Sequence, residues 1–179
     1  MIARDWRCIH VLVMGVAGSG KSTVAAALSD RLGLEMIEGD ALHPAANVEK
    51  MRNGIPLTED DRRPWLESLA SLLADRHSRG RCTVLACSAL RHAYRDALRA
   101  AVPAGETYVI ELEVDGSTLH ARMAQRTGHF MPASLLDSQL ATLEPLADDE
   151  SGVAVDGSAP LDAVISTACR AIDAWNADQ

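Results

Sequence analysis

Residues 9–23 read Ile9-His10-Val11-Leu12-Val13-Met14-Gly15-Val16-Ala17-Gly18-Ser19-Gly20-Lys21-Ser22-Thr23, an apolar, β-branched run that passes into a glycine-rich loop and then into the alanine-rich segment Val24 to Leu32. The order is strand, loop, helix. Gly15, Gly20, Lys21 and Ser22 fit the pattern G-x-x-x-x-G-K-[ST], whose backbone N–H groups wrap phosphates at the N-terminus of a helix. The buried-strand character before the pattern and the helix former after it are the context the motif requires. Lys21 is then expected on the β- and γ-phosphates, and the Ser22 hydroxyl on Mg²⁺.

Working outward, Gly33 is placed to stop the first helix, and Leu34 to Glu38 reads as a short strand ending at Gly39-Asp40. Ligands of open parallel sheets bind beyond the carboxyl ends of the strands, so Asp40 is expected to face the same crevice as the phosphate loop. A short helix over Asn47 to Arg52 ends at Asn53-Gly54. Thr58 then caps a helix over Glu59 to Ser78, with Glu59, Asp60 and Asp61 in its first turn. Arg81 to Cys87 is the third strand; it stops at Cys87-Ser88, with no acidic residue at its end. A helix around Tyr94-Arg95-Asp96 runs to Ala101, Thr107 to Val114 forms a fourth strand, and Asp115-Gly116-Ser117-Thr118 caps a helix through Gln125.

Arg126-Thr127-Gly128-His129-Phe130-Met131-Pro132 breaks the helical pattern before another helix over Ala133 to Leu143. A basic, glycine-containing insertion of this kind suits a mobile lid over bound nucleotide, approximately residues 126–132. Glu144 to Glu150 reads as an acidic surface loop, Gly152 to Val155 as a fifth strand, and Pro160 to Trp175 as a closing helix. Five strands alternating with helices imply an α/β three-layer fold with a five-stranded parallel sheet and right-handed crossovers, carried by the 179 residues as a single domain.

Composition narrows the function classes. A formal net charge of −8 argues against a general nucleic-acid binder, which needs a basic face, and makes the position of each Arg more informative than the total. No stretch approaches the ~18 apolar residues of a membrane span, which points to a soluble, cytoplasmic protein with no membrane partner. With one Phe, two Tyr and three Trp, the core must be built mainly from Ala, Leu, Val and Met. The four cysteines, Cys8, Cys82, Cys87 and Cys169, show no C-x-x-C spacing and no His at ligand spacing, so buried thiols rather than a metal site are expected.

From Gly39 onward the chain resembles a known family. The pattern GD-x-LHP-x-x-N-x-x-KM-x-x-GIPL-x-x-x-DR-x-PWL over Gly39 to Leu66, with Ala86-Cys87-Ser88-Ala89-Leu90-Arg91, Tyr94-Arg95-Asp96, Gly128-His129-Phe130-Met131, Ser138-Gln139 and Leu143-Glu144-Pro145, is similar to the thermoresistant-type gluconate kinases. That resemblance implies transfer of the ATP γ-phosphoryl group to the 6-hydroxyl of D-gluconate, on a fold similar to shikimate and nucleoside monophosphate kinases. It also implies a homodimer, since such enzymes often pair. Arg91 stands where members of the family frequently carry Lys, a change that keeps the charge but replaces an ammonium with a planar fork.

Phosphoryl transfer needs in-line positioning and cancellation of negative charge. Asp40 is the candidate to orient the acceptor hydroxyl and take its proton, with a contact to Mg²⁺ through water as a second role. Arg62 and Arg91 are candidates for the gluconate carboxylate, and His43 and His129 for its hydroxyls. Arg122 is a candidate to stack on adenine, and Arg126 to reach the phosphates as the lid closes. The rival readings are a kinase of another small acceptor, shikimate-like or a nucleoside monophosphate, and a nucleotide-binding sensor without turnover. The turn Cys87-Ser88-Ala89-Leu90 in place of a glycine-rich one disfavours a shikimate kinase, and the intact Lys21, Ser22 and Asp40 disfavour the sensor.

Overall fold

The computed structural model describes residues 8–125 and 132–178. Arg126, His129 and all of the expected lid except Pro132 lie outside them. The strands are β1 (His10–Met14), β2 (Glu35–Glu38), β3 (Thr83–Ala86), β4 (Thr107–Glu113) and β5 (Gly152–Asp156). They form one parallel sheet in the order β2-β3-β1-β4-β5, with His10 level with Thr83 on one side and Thr107 on the other. The helices are α1 (Lys21–Leu32), α2 (Ala45–Arg52), α3 (Glu59–Ser78), α4 (His92–Arg99), α5 (Gly116–Gln125), α6 (Leu136–Thr142) and α7 (Leu161–Ala177). The helix expected over Ala133 to Leu143 is instead a 3₁₀ turn, Ala133–Leu135, followed by the short α6.

Alternate residues of the strands feed opposite layers, which is why the central strands β1 and β3 read as near-continuous apolar runs. Val11, Val13, Val84, Ala86 and Ile110 pack against Val24, Ala25 and Leu28 of α1 and Val164, Ala168 and Ile172 of α7. Leu12, Met14, Leu85 and Val109 face the other way, onto Trp65, Leu69 and Leu73 of α3 and Leu98 of α4. The punctuation residues act as the pattern requires. Gly33 stops α1 in the left-handed region at φ 70°, its N–H donating to Ser29 O, and Thr58 opens α3 with a reciprocal capping box to Asp61. Among the described residues no helix is long and apolar enough to cross a membrane.

Two expectations need correction. The segment from Glu144 to Glu150 is not simply a solvated acidic loop: Glu150 is buried, and Arg95, fully buried on α4, holds it. Arg95 Nε and one terminal nitrogen donate to the two Glu150 oxygens at 2.7 and 2.6 Å, and the remaining donors reach the carbonyls of Ala89, Glu144 and Pro145. Five donors meeting five acceptors satisfy a charge that burial would otherwise make prohibitive. Truncating Arg95 to alanine strands the Glu150 carboxylate; we expect a loss of about 3–5 kcal/mol in stability, read from urea unfolding, and a loss under about 1 kcal/mol would refute a structural role for the pair.

The second correction concerns the thiols. Cys87 and Cys169 are buried as expected. Cys8, however, meets His10 and His77 at the N-terminal rim of the sheet, where one ligand atom from each lies within 4.8 Å of the others. Spacing along the chain conceals this trio because His77 arrives on the last turn of α3.

Candidate active site

The phosphate loop leaves β1 at the centre of the sheet and curls over the start of α1. Gly20, the residue before that helix, has φ 99°, and a Cβ there would meet nothing within 4 Å. Its glycine is therefore required by backbone conformation, and the space above it is open to a ligand. Lys21 Nζ donates to Val16 O at 3.1 Å, bending back over its own loop. The Ala17 amide donates to Gln139 Oε1 at 2.6 Å, so α6 is tied to the loop.

A cleft of about 240 Å³ opens over this loop. Ala17, Gly18, Gly20, Lys21, Ser22, Thr23 and Arg122 line one side, and Asp40, His43, Arg62, Trp65 and Tyr94 are among the residues lining the other. Gly15, Val16 and Ser19 support the loop from beneath; Val16 and Ser19 are buried, and Ser19 Oγ has no hydrogen-bond partner.

Asp40 is positioned by close backbone approach. A Cβ at Gly39 would come within 2.6 Å of Ala86 O and 3.3 Å of Cys87 Cβ, so the turn Gly39–Leu42 presses directly on the end of β3. Trp65 Nε1 of α3 donates to Gly39 O at 2.8 Å and fixes the turn from behind. His43 stacks on the Trp65 ring, with centroids 4.2 Å apart and planes 13° from parallel. Burial pushes the His43 pKa down to about 4, with Asp40 pulling it up and Arg62 pressing it down. The ring is thus neutral near pH 7, and its buried Nδ1 has no hydrogen-bond partner, a polar atom available to a hydroxyl.

Arg62 lies 5.8 Å over the Tyr94 ring and donates to the Tyr94 hydroxyl at 3.3 Å. Tyr94 in turn donates to Glu59 Oε1 at 2.6 Å. Arg91 pairs with the same Glu59 oxygen at 3.0 Å, its side chain 42% exposed, and it does not line the cleft. Two guanidiniums share one carboxylate, which leaves net positive charge beside the cleft at Arg62. Arg122 donates to Gly18 O at 3.3 Å and Gly157 O at 3.1 Å, bracing the phosphate loop against the turn after β5.

Trp65, Tyr94 and Gln139 were not assigned roles by sequence reasoning, although all three sit inside the motifs quoted above. An aromatic in an apolar helix register and a Gln in a polar one carry no signal of which cavity they face. The oxygen donors suit a hydrated magnesium ion: the Ser22 hydroxyl is exposed at the first turn of α1, and the Asp40 carboxylate lines the same cleft.

A family model described as AAA domain matches residues 11–146. The gluconokinase of Gluconobacter oxydans (strain 621H) is 50% identical over 163 residues, covering 89% of each chain. The thermoresistant gluconokinase of Escherichia coli (strain K12) is 39% identical over 165 residues, covering 92% of this chain and 93% of its own. The crystal structure of a gluconokinase from Sinorhizobium meliloti 1021 superposes with a TM-score of 0.86 at 44% identity, covering 97% of this chain and 96% of its own. With the phosphate loop, the Asp40 turn and the Arg62 pocket gathered on one parallel sheet, and relatives this similar along nearly the whole length, the chain belongs to the gluconokinase family.

Proposed function

We propose that this chain, acting as one kinase domain, transfers the γ-phosphoryl group of ATP to the 6-hydroxyl of D-gluconate, giving 6-phospho-D-gluconate and ADP. The observation that carries this reading is the convergence of Lys21, Asp40 and Arg62 in a single cleft, in a chain whose relatives are gluconokinases.

The amides of the glycine loop and the α1 N-terminus hold the phosphate chain, with Lys21 swinging from Val16 O onto its terminal oxygens. Ser22 and Asp40 would hold Mg²⁺, which would supply neutralisation of the phosphate charge when bound. Asp40 accepts the proton of the acceptor hydroxyl as the oxygen attacks in line. Arg62 takes the carboxylate at the far end of the sugar acid, with Arg91 adding charge from the rim, and neutral His43 takes a hydroxyl at Nδ1. Arg122 fixes the loop edge beside the adenine, and Arg126 and His129 are assigned to the phosphates and to a hydroxyl.

A coupled ADP-release assay across gluconate, shikimate and nucleoside monophosphates tests the reading. Turnover with gluconate at least about a hundredfold above the others, in kcat/KM, is expected. Turnover with none of them despite ATP binding would leave only a sensor. Arg62→Ala is expected to raise the gluconate KM about 10- to 100-fold, with the ATP KM unchanged, because an anion loses its charged hydrogen bond. A shift confined to the ATP KM would place Arg62 in the other pocket.

A further inference from the structure

The end of the sheet farthest from the phosphate loop carries a second cluster of reactive side chains that phosphoryl transfer does not use. Cys8 lies two residues before His10, which opens β1, His77 comes from the last turn of α3, and Thr83 begins β3. His10 is 2% exposed, and its Nε2 lies 3.4 Å from His77 Nδ1. Two imidazole nitrogens bound tetrahedrally to one zinc ion, at Zn–N distances of about 2.0–2.1 Å, stand about 3.4 Å apart. The spacing is that of a ligand pair.

The surroundings match. His10 Nδ1 is 2.9 Å from Thr83 Oγ1, a contact that holds the imidazole plane with Nε2 turned towards His77. The ligand atoms of Cys8, His10 and His77 all lie within 4.8 Å of one another, so closing them on one ion takes at most about 1 Å of side-chain movement. Glu106 Oε2 is buried 3.1 Å from His77 Nδ1 and makes no hydrogen bond, so a fourth donor stands at the edge of the trio.

We propose that Cys8, His10 and His77 form a binding site for a divalent metal of zinc type, with Glu106 completing the tetrahedron, which staples β1 to the C-terminal end of α3. One thiolate and two neutral imidazoles are a borderline-soft set that selects zinc over magnesium or calcium. The Cys8 proton leaves to solvent on binding, so the step is acid–base and needs no oxidant. Five strand residues separate the cluster from the phosphate loop, about 16 Å, so its contribution is to stability rather than to turnover.

The reduced full chain, stripped by chelator, is titrated with Zn²⁺ and separately with Co²⁺. One equivalent per chain is expected, with the thiolate-to-cobalt charge-transfer band and the visible bands of tetrahedral cobalt, and a higher melting temperature when metal is bound. Cys8→Ser is expected to remove the charge-transfer band, and His77→Ala to weaken Zn²⁺ binding at least about a hundredfold. Circular dichroism of the metal-free variants shows whether they keep the parental fold. Failure of the reduced chain to take one equivalent, or undiminished binding in folded Cys8→Ser or His77→Ala, overturns the site; the latter result would leave His77 and Glu106 as an ordinary ion pair.

Discussion

Replacing Lys21 with alanine is expected to lower kcat by about 10³-fold with the fold intact. Lys21 stands at the mouth of the cleft on the first residue of α1, and its ammonium already reaches back across the loop to Val16 O. Charge spreads over the oxygens of the transferred group as the bond to the leaving phosphate lengthens, and a preorganised cation at that point stabilises this state more than the ground state. A single donor aimed at developing charge is worth about 10²–10³ in rate, and a full charge in a partly dry cleft belongs at the upper end. Lys21→Met separates charge from bulk: it keeps the length of the chain and loses the cation. Steady-state kinetics at saturating ATP and gluconate check both variants. If either retains kcat within tenfold of the parent, the lysine is not acting on the transferred group.

Asp40→Asn is expected to cost about 10²–10⁴ in kcat, the usual contribution of a positioned general base. The substitution is nearly isosteric, and what fixes this turn is backbone: Trp65 Nε1 bonded to Gly39 O, and Gly39 pressed on Ala86. The stability of the variant should therefore stay close to that of the parent while turnover collapses. Normal turnover in a folded Asp40→Asn protein would remove the carboxylate from the chemistry and leave Asp40 as a turn residue.

The reasons for what was legible in the chain are physical. A strand buried on both faces must be mostly apolar, so β1, β3 and β4 declare themselves, and helix ends must satisfy orphaned amides and carbonyls, so Thr58, Asp115 and Gly33 do too. Strand order is not encoded locally: β3 enters between β2 and β1, and only the pairing reveals it. In the site, Lys21 and Asp40 follow strand ends, where topology alone directs residues to the crevice.

The supports were hidden by sequence separation. Trp65 reaches Gly39 across 26 residues, Arg95 reaches Glu150 across 55, and Gln139 reaches Ala17 across 122. A basic residue beside acidic neighbours, as Arg95 is beside Asp96, gives no hint that its partner is a glutamate on a distant loop. The trio Cys8, His10 and His77 escapes for the same reason: ligand spacing is a signal only when the donors share one segment.

Helix α3 has 20 residues, about 30 Å of rigid rod, and it carries the Arg62 cation, the Trp65 hook on the Asp40 turn and, at its other end, His77. In the proposed mechanism the grip on the sugar acid and the seat of the base are thus parts of one lever, while the triphosphate cradle belongs to the sheet. If that rod rocks as an acceptor enters, the arginine and the aspartate travel together and their mutual distance is preserved. Re-engineering which acid enters by altering this rod would disturb the seating of the base in the same stroke, so selectivity and speed in this fold are mechanically geared to each other.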